Sequence, residues 1–217
     1  LTKTQEQKLA YKFAVSYVGV FDKDRGLENL LEVISHRPDI LLNIAGFGVL
    51  GDLVQEYASK FDNICHWGRV DYSVGQSIMK NSDMIAAMYH LTSPLHKYAA
   101  PNKYYESLYL GVPMITTENT LVGSKVKKYN TGFVIAEARD SLDAVFDSEA
   151  LEKELIEKCS ILKSEIKKGI EDFAIVEHEN HGRIYACEVN GKGDYFLFDD
   201  AKVPSLLSAP YLGYCGC

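Results

Sequence analysis

No stretch of this 217-residue chain approaches the roughly 18 consecutive apolar residues that a helix needs to cross a bilayer, although hydrophobic residues make up 47% of it. A transmembrane segment is therefore not expected, and the opening "LTKTQEQKLAYKF" is too polar for a secretory signal. Positive charge is also in deficit: 23 Lys and Arg stand against 30 Asp and Glu, a formal net charge of −7. That argues against a broad electrostatic footprint for nucleic acid or anionic lipid, leaves a local basic pocket open, and makes small molecules the expected partners. A disulfide framework is missing too. The five cysteines (65, 159, 187, 215 and 217) are odd in number, in a chain large enough to hold itself together by packing, which fits a reducing, cytoplasmic setting. Cys215 and Cys217 lack the further ligands of a closed zinc site, and His178 and His181 in "VEHENH" lack a companion pair and read as a solvated loop. No metal or cofactor is expected. There is no internal repeat, low-complexity segment or P-loop. Leu1 is not an initiator, so the chain is expected to be a piece of something longer.

What is present is a regular alternation. Apolar runs of strand length fall at 13–19, 39–45, 63–67, 83–88, 113–116 and 132–135. Between them, helical spacing is marked by Leu27, Leu30, Leu31, Val33 and Ile34, by Leu53, Val54 and Tyr57, by Ile78 and Met79, and by Tyr105, Leu108 and Tyr109. Six such alternations with short connections predict an α/β, doubly wound parallel sheet with both faces covered. From 141 to 169 the pattern is helical only, closing at Gly169 beside lysines suited to a helix C-terminus. A short β-rich tail follows, with a hairpin signal at Asn190-Gly191-Lys192-Gly193 and a Pro-punctuated apolar stretch, "VPSLLSAPYLGY". The expected domains are 12–169 and 170–217.

In an open parallel sheet, ligands bind beyond the carboxyl ends of the strands. Three loops there carry suitable residues: Arg25 after the first strand, Gly46 and Gly48 in "AGFG" after the second, and Arg69 in "WGRV" after the third. The fourth strand leads through a long loop to "PNKYYESLYLGVPMIT", a helix expected to start near Asn102, where free N–H groups and the helix dipole favour an anion. Lys103 adds positive charge. Glu106, one turn further in, suits sugar hydroxyls beside a phosphate. Helix N-terminus, cation and carboxylate together suit a nucleoside diphosphate, and the pattern leaves equally open that Lys103 and Glu106 are an ordinary i,i+3 surface pair.

With these residues in view, 12–140 resembles the C-terminal, donor-binding half of the GT-B glycosyltransferases, especially glycosyltransferase family 4. The likeness runs through "YVGVFDKDRGLENLL", "LLNIAGFG", "ICHWGRVDYSVGQSIMKNSDMIAAM" and "PNKYYESLYLGVPMITTENTLVGSKVKKYNTGFVI". It implies a retaining enzyme using a nucleotide-sugar donor and a glycan or other hydroxyl acceptor. In it Arg25 would meet the diphosphate, Glu106 would hold the ribose, and Gly46 and Gly48 would form the loop near the phosphates. The residues that would assist departure of the diphosphate are Arg25 and Lys103. Tyr98 stands where the family often has a sugar-contacting glutamate, and Val20 where many members carry an arginine. The N-terminal acceptor half of that fold has no counterpart here, so the resemblance implies that the chain alone would not turn over.

The segment "GIEDFAIVEHENHGRIYACEVNGKGDYFLFDDAKVPSLLSAPYLGYC" instead resembles glycoside hydrolase family 125, metal-independent exo-α-1,6-mannosidases built on an (α/α)₆ barrel, with Lys202 replacing an asparagine common there. A two-carboxylate glycosidase needs its groups about 5 to 9.5 Å apart across the scissile bond. Asp199 and Asp200 are adjacent, and neighbouring strand residues point to opposite faces, so they do not meet that need as they stand. The alternatives to glycosyl transfer are accordingly a fragment of an exo-α-mannosidase or a non-catalytic nucleotide-binding α/β module. The two resemblances together imply a junction between a glycosyltransferase half and a truncated hydrolase-like segment.

Overall fold

The computed structural model describes residues 10–99 and 101–146 without a break, and beyond them residues 157, 161, 164, 165, 168, 172, 175–179, 182–185, 188–189 and 195–196. The chain forms two compact units, Leu1–Cys159 and Ser160–Cys217.

The first unit contains one parallel sheet of six strands: β1 (Phe13–Val20), β2 (Ile40–Phe47), β3 (Ile64–His66), β4 (Met84–Ala86), β5 (Met114–Thr117) and β6 (Gly132–Ile135). Their spatial order is β3-β2-β1-β4-β5-β6. Connecting helices are α1 (Leu27–Ser35), α2 (Gly51–Lys60), α3 (Tyr72–Lys80), α4 (Asn102–Leu110) and α5 (Leu121–Tyr129), and α6 (Arg139–Phe146) follows β6. This is the doubly wound sheet that the sequence predicts.

Burial explains why the strands read as continuous apolar runs. The first five residues of β1 and the first six of β2 are buried, because helices cover both faces of the sheet. On α1 the buried positions Leu27, Leu30, Leu31, Val33 and Ile34 form one stripe at helical spacing, and they join Phe13, Val15, Tyr17, Leu42, Ile44 and Met84 in the main core. Fully burying each of these leucines stabilises by about 1.5–3 kcal/mol. α6 is fastened to this layer by Arg37, whose Nη2 and Nε donate to Asp143 Oδ1 at 2.6 and 3.1 Å.

The end of α1 depends on a buried amide. Asn63 Nδ2 lies 2.9 Å from the Ile34 carbonyl and 3.0 Å from those of Arg37 and Ile40, gathering the last turn of α1 and the start of β2 around one side chain. Removing it leaves three backbone carbonyls to lose that donor out of water. Asn63→Ala is expected to destabilise by about 3 kcal/mol, read as a lower urea midpoint at unchanged slope.

β4 ends earlier than the apolar run 83–88 suggests. Its last ladder partner is Ala86↔Ile115; the chain then leaves the sheet, and the Tyr89 N–H is taken by Thr117 Oγ1 at 2.8 Å. α4 begins at Asn102 as expected and closes on Gly111 in the left-handed conformation. Of the helix expected over 141–169, the first part is α6, and the described residues 157, 161, 164, 165 and 168 are helical. The rest of that stretch lies outside the described residues.

In the second unit, β7 (Ile175–His178) pairs antiparallel with β8 (Gly182–Tyr185), and β9 (Glu188–Val189) with β10 (Tyr195–Phe196). The second pair flanks the Asn190–Gly193 hairpin signal. The first pair corrects the reading of "VEHENH" as a loop: Val176, Glu177 and His178 are strand residues, opposite Ile184, Arg183 and Gly182. β-Branched Ile175 and Val176 favour the strand. Asp199, Asp200, Lys202, the "VPSLLSAPYLGY" stretch, Cys215 and Cys217 lie outside the described residues. Among the described residues, no helix is long and apolar enough to cross a membrane, and no group of three His, Cys, Asp or Glu is placed to hold a metal.

Candidate functional site

Strand order reverses between β1 and β4, so the chain leaves their carboxyl ends in opposite directions and opens a crevice there. The loop after β1 brings Arg25 into it. The guanidinium lies over the Tyr89 ring, 4.9 Å from its centroid, with Nε 3.6 Å from Asp24 Oδ1. Asp24 Oδ2 in turn lies 3.4 Å from Nε2 of the buried His96, whose Nδ1 is 2.8 Å from the His90 carbonyl. The long loop between β4 and α4 is thereby tied down over the loop after β1.

Beside this crevice, at the carboxyl ends of β1 and β2, is a cavity of about 340 Å³. Its floor comes from Val18 and Gly19 on β1 and Ala45 and Gly46 on β2; its walls come from Arg69 and Val70 in the loop after β3, from Tyr72, Gln76 and Met79 on α3, and from Lys103 on α4. The lining is largely apolar and includes two cations, Arg69 and Lys103, and one carboxylate, Asp71. Arg69 is held over the exposed Phe47 ring at 4.7 Å, a placement that keeps the guanidinium at the mouth. No side chain caps α4, whose first turn carries Lys103.

Three of the residues singled out in the sequence therefore share one cavity: Gly46, Arg69 and Lys103. Arg25, Gly48, Asn102 and Glu106 are not part of its lining. Arg25 and Glu106 nevertheless act on one group. The Tyr89 phenol is pushed up to about 12, chiefly by burial, with Arg25 opposing and Glu106 adding to the shift.

Glu106 is 3% exposed. Lys103 Nζ lies 2.5 Å from its Oε2, so the i,i+3 pair anticipated from the sequence is made, but in the interior and not on the surface. Gln76 Nε2 donates to the Tyr72 oxygen at 3.1 Å. Burial and the Glu106 charge raise the Tyr72 phenol to about 12. A buried carboxylate is tolerated only when paired in this way, and removing one partner typically costs about 3–5 kcal/mol.

Tyr72 and Gln76 were not anticipated from the sequence. The available signal was their i,i+4 spacing at the start of a helix that opens directly behind "WGRVD", at the same sheet edge as the glycine-rich loop.

Comparison with solved structures identifies the fold. WaaG, a glycosyltransferase involved in lipopolysaccharide biosynthesis, superposes with a TM-score of 0.56 at 17% identity over 76% of this chain and 47% of its own. The C-terminal domain of the group 1 glycosyltransferase LpcC from Francisella tularensis gives 0.55 at 16% over 74% of this chain and 89% of that domain. The α/β unit has the fold of one half of a GT-B glycosyltransferase. HepE from Anabaena, solved with UDP-glucose, matches this GT-B half with a TM-score of 0.58 at 13% identity, over 77% of the chain and 49% of HepE. The chain thus spans about half the length of WaaG and of HepE.

The remainder of the chain has a different likeness. The family model for metal-independent alpha-mannosidase (GH125) matches residues 118–217, beginning inside the GT-B half. The Meiotically up-regulated gene 157 protein of Schizosaccharomyces pombe is 53% identical over 51 residues, which are 24% of this chain and 10% of that protein.

Proposed function

We propose that residues 12–169 are the donor-binding half of a retaining glycosyltransferase, which moves a sugar from a nucleotide-sugar donor to a glycan or other hydroxyl acceptor. The observation that carries this reading is the cavity at the carboxyl ends of β1 and β2, largely apolar and lined by Arg69 and Lys103 against the single carboxylate of Asp71, beside a crevice that holds Arg25. An apolar slot with cations at its rim suits a nucleobase joined to a diphosphate. In the complete enzyme an N-terminal GT-B domain supplies the acceptor. The acceptor hydroxyl attacks the anomeric carbon as the bond to the diphosphate breaks, its proton passes to the departing diphosphate oxygen, and the negative charge that develops on the departing group is met by Arg25, Lys103 and the N-terminus of α4. Without that domain the chain binds donor but does not transfer.

Calorimetric titration of the whole chain with UDP, GDP and ADP tests this. At least one should bind, and Arg69→Ala, an exposed position, should weaken it about tenfold, as expected for one charge-assisted contact. Absence of binding for all three at millimolar concentration would remove the reading.

A second reading rests on the match of residues 118–217 to the mannosidase family. It assigns the chain to a fragment of an α-mannosidase, with 170–217 as the hydrolase-like segment. Mannose oligosaccharides in the same titration decide it: binding that is lost in Asp199→Ala supports the hydrolase, and no saccharide binding removes it.

A further inference from the structure

Resting on the nucleotide reading above, we propose that the cavity selects a guanine base and that the Asp71 carboxylate is the residue that determines the choice. The cavity has two ends. Lys103 on α4 bounds it toward the crevice between β1 and β4, where Arg25 sits, and the connection after β3 bounds it on the other side with Arg69 and Asp71. Cations beside a helix N-terminus suit the diphosphate at the first end. The base is then left to the second, over the apolar surface of Val18, Ala45 and Gly46.

Both side chains at that end are uncommitted. Asp71 is the N-cap of α3, a position where an Asp carboxylate ordinarily accepts from the first N–H groups of its helix, and it makes no such bond here. Among the described residues neither it nor the Arg69 guanidinium has a hydrogen-bond or ion-pair partner, Arg69 only resting over the Phe47 ring. Asp71 is also exposed, so the free carboxylate stays hydrated until a base arrives. Two residues apart on one connection, Arg69 offers a fork of N–H donors and Asp71 a pair of acceptor oxygens. Guanine answers both: O6 and N7 accept along one edge, and N1–H and the N2 amine donate along the next. Adenine reverses this pattern, with an amine in place of O6 and a lone pair at N1 turned toward the carboxylate. Uracil brings a single N–H flanked by two carbonyls, which satisfies one carboxylate oxygen and sets a carbonyl against the other.

Calorimetry on the whole chain with GDP, UDP, ADP and the diphosphates of inosine and xanthosine tests this. The wild type should bind GDP about tenfold more tightly than UDP or ADP, the discrimination expected of one bidentate pair. Inosine diphosphate lacks the N2 amine and should fall about fivefold below GDP, as one lost contact to a charged group requires. Xanthosine diphosphate carries a carbonyl in place of that amine and should be weaker still. Asp71→Asn can turn an amide N–H toward that carbonyl, and should shift the ratio of GDP to xanthosine diphosphate affinity about tenfold toward xanthosine. Asn caps a helix as well as Asp does, so circular dichroism should be unchanged, and Asp71→Ser, which also keeps a capping oxygen, should lose the GDP advantage in the same way. A guanine preference that neither variant alters would mean that another group reads the base, and the inference fails. A wild type that binds nucleotides with no advantage for GDP also overturns the inference and leaves the nucleotide reading standing. If none of the five binds at millimolar concentration, both fall.

Discussion

Gly46→Ala is expected to destabilise the α/β unit by at least about 4 kcal/mol, enough to leave much of the chain unfolded. Gly46 has φ 148°, and a Cβ built on it would lie 1.8 Å from the Gly19 carbonyl oxygen and 2.9 Å from Phe21 Cε1. The obstacle at 1.8 Å is backbone, in a strand paired residue for residue with β2, so no side-chain rotation relieves it. Gly19 and Gly46 are partners in the register, and Gly46 N–H also donates to Gly68 O at 2.9 Å, so β1, β2 and the loop after β3 converge on this residue. Splitting them apart would open the floor of the cavity as well as the core, adding lost burial to backbone strain. Gly51→Ala is the matched control: it begins α2, nothing lies within 4 Å of its would-be Cβ, and it should be neutral or stabilising by up to about 1 kcal/mol. Urea unfolding of the two variants against the wild type measures both, and equal midpoints would show that the β1–β2 approach is looser than the structure has it.

The same glycine shows where sequence reasoning reaches and where it stops. "AGFG" after an apolar run announces a close backbone approach, and Gly46 makes one. The approach seen in the structure is to the neighbouring strand, a fact that no local pattern contains because residue 19 is remote in sequence. The strands themselves were legible because parallel strands buried on both faces read as apolar runs, and the helices because one stripe of each meets the sheet. What local pattern misstated was the end of β4, set by a hydrogen bond from Tyr89 to Thr117 across the sheet, and the β7–β8 hairpin, hidden by the polar residues of its turn.

At the candidate site the chemistry of Lys103 and Glu106 was legible and their setting was not. Charge and spacing allowed either a ligand-facing pair or a solvated one, and the burial of Glu106 comes from packing that no local pattern contains. Arg25 and Glu106, 81 positions apart by their numbering, act on the Tyr89 phenol because β1 and β4 are neighbours in the sheet. Sequence gives the order of strands along the chain, and the reversal between β1 and β4 turns that order into a site.

Alkali should unfold this unit steeply above pH 10, because its interior holds phenols that resist ionisation. Tyr17 and Tyr89 are 4% and 7% exposed, and burial raises both, Tyr89 to about 12 and Tyr17 beyond it. In the unfolded chain each titrates near its ordinary value of 10. Below that pH both states hold the proton and the stabilisation is fully present. As pH rises through 10 to 12, the unfolded chain releases protons that the folded one keeps, and stability falls by about 1.4 kcal/mol per pH unit for each group. The two together give about 3 kcal/mol per unit against a total of roughly 5–15 kcal/mol; half-exposed Tyr72 adds less. Urea midpoints at pH 8, 10, 11 and 11.5 should be flat at first and then drop, and Tyr89→Phe should remove close to half of the slope. Arg25 opposes both shifts. Arg25→Gln should therefore raise both phenols further and carry the decline to higher pH at the same slope, and a decline that levels off at the wild-type pH would mean that the guanidinium does not sit over Tyr89 in solution.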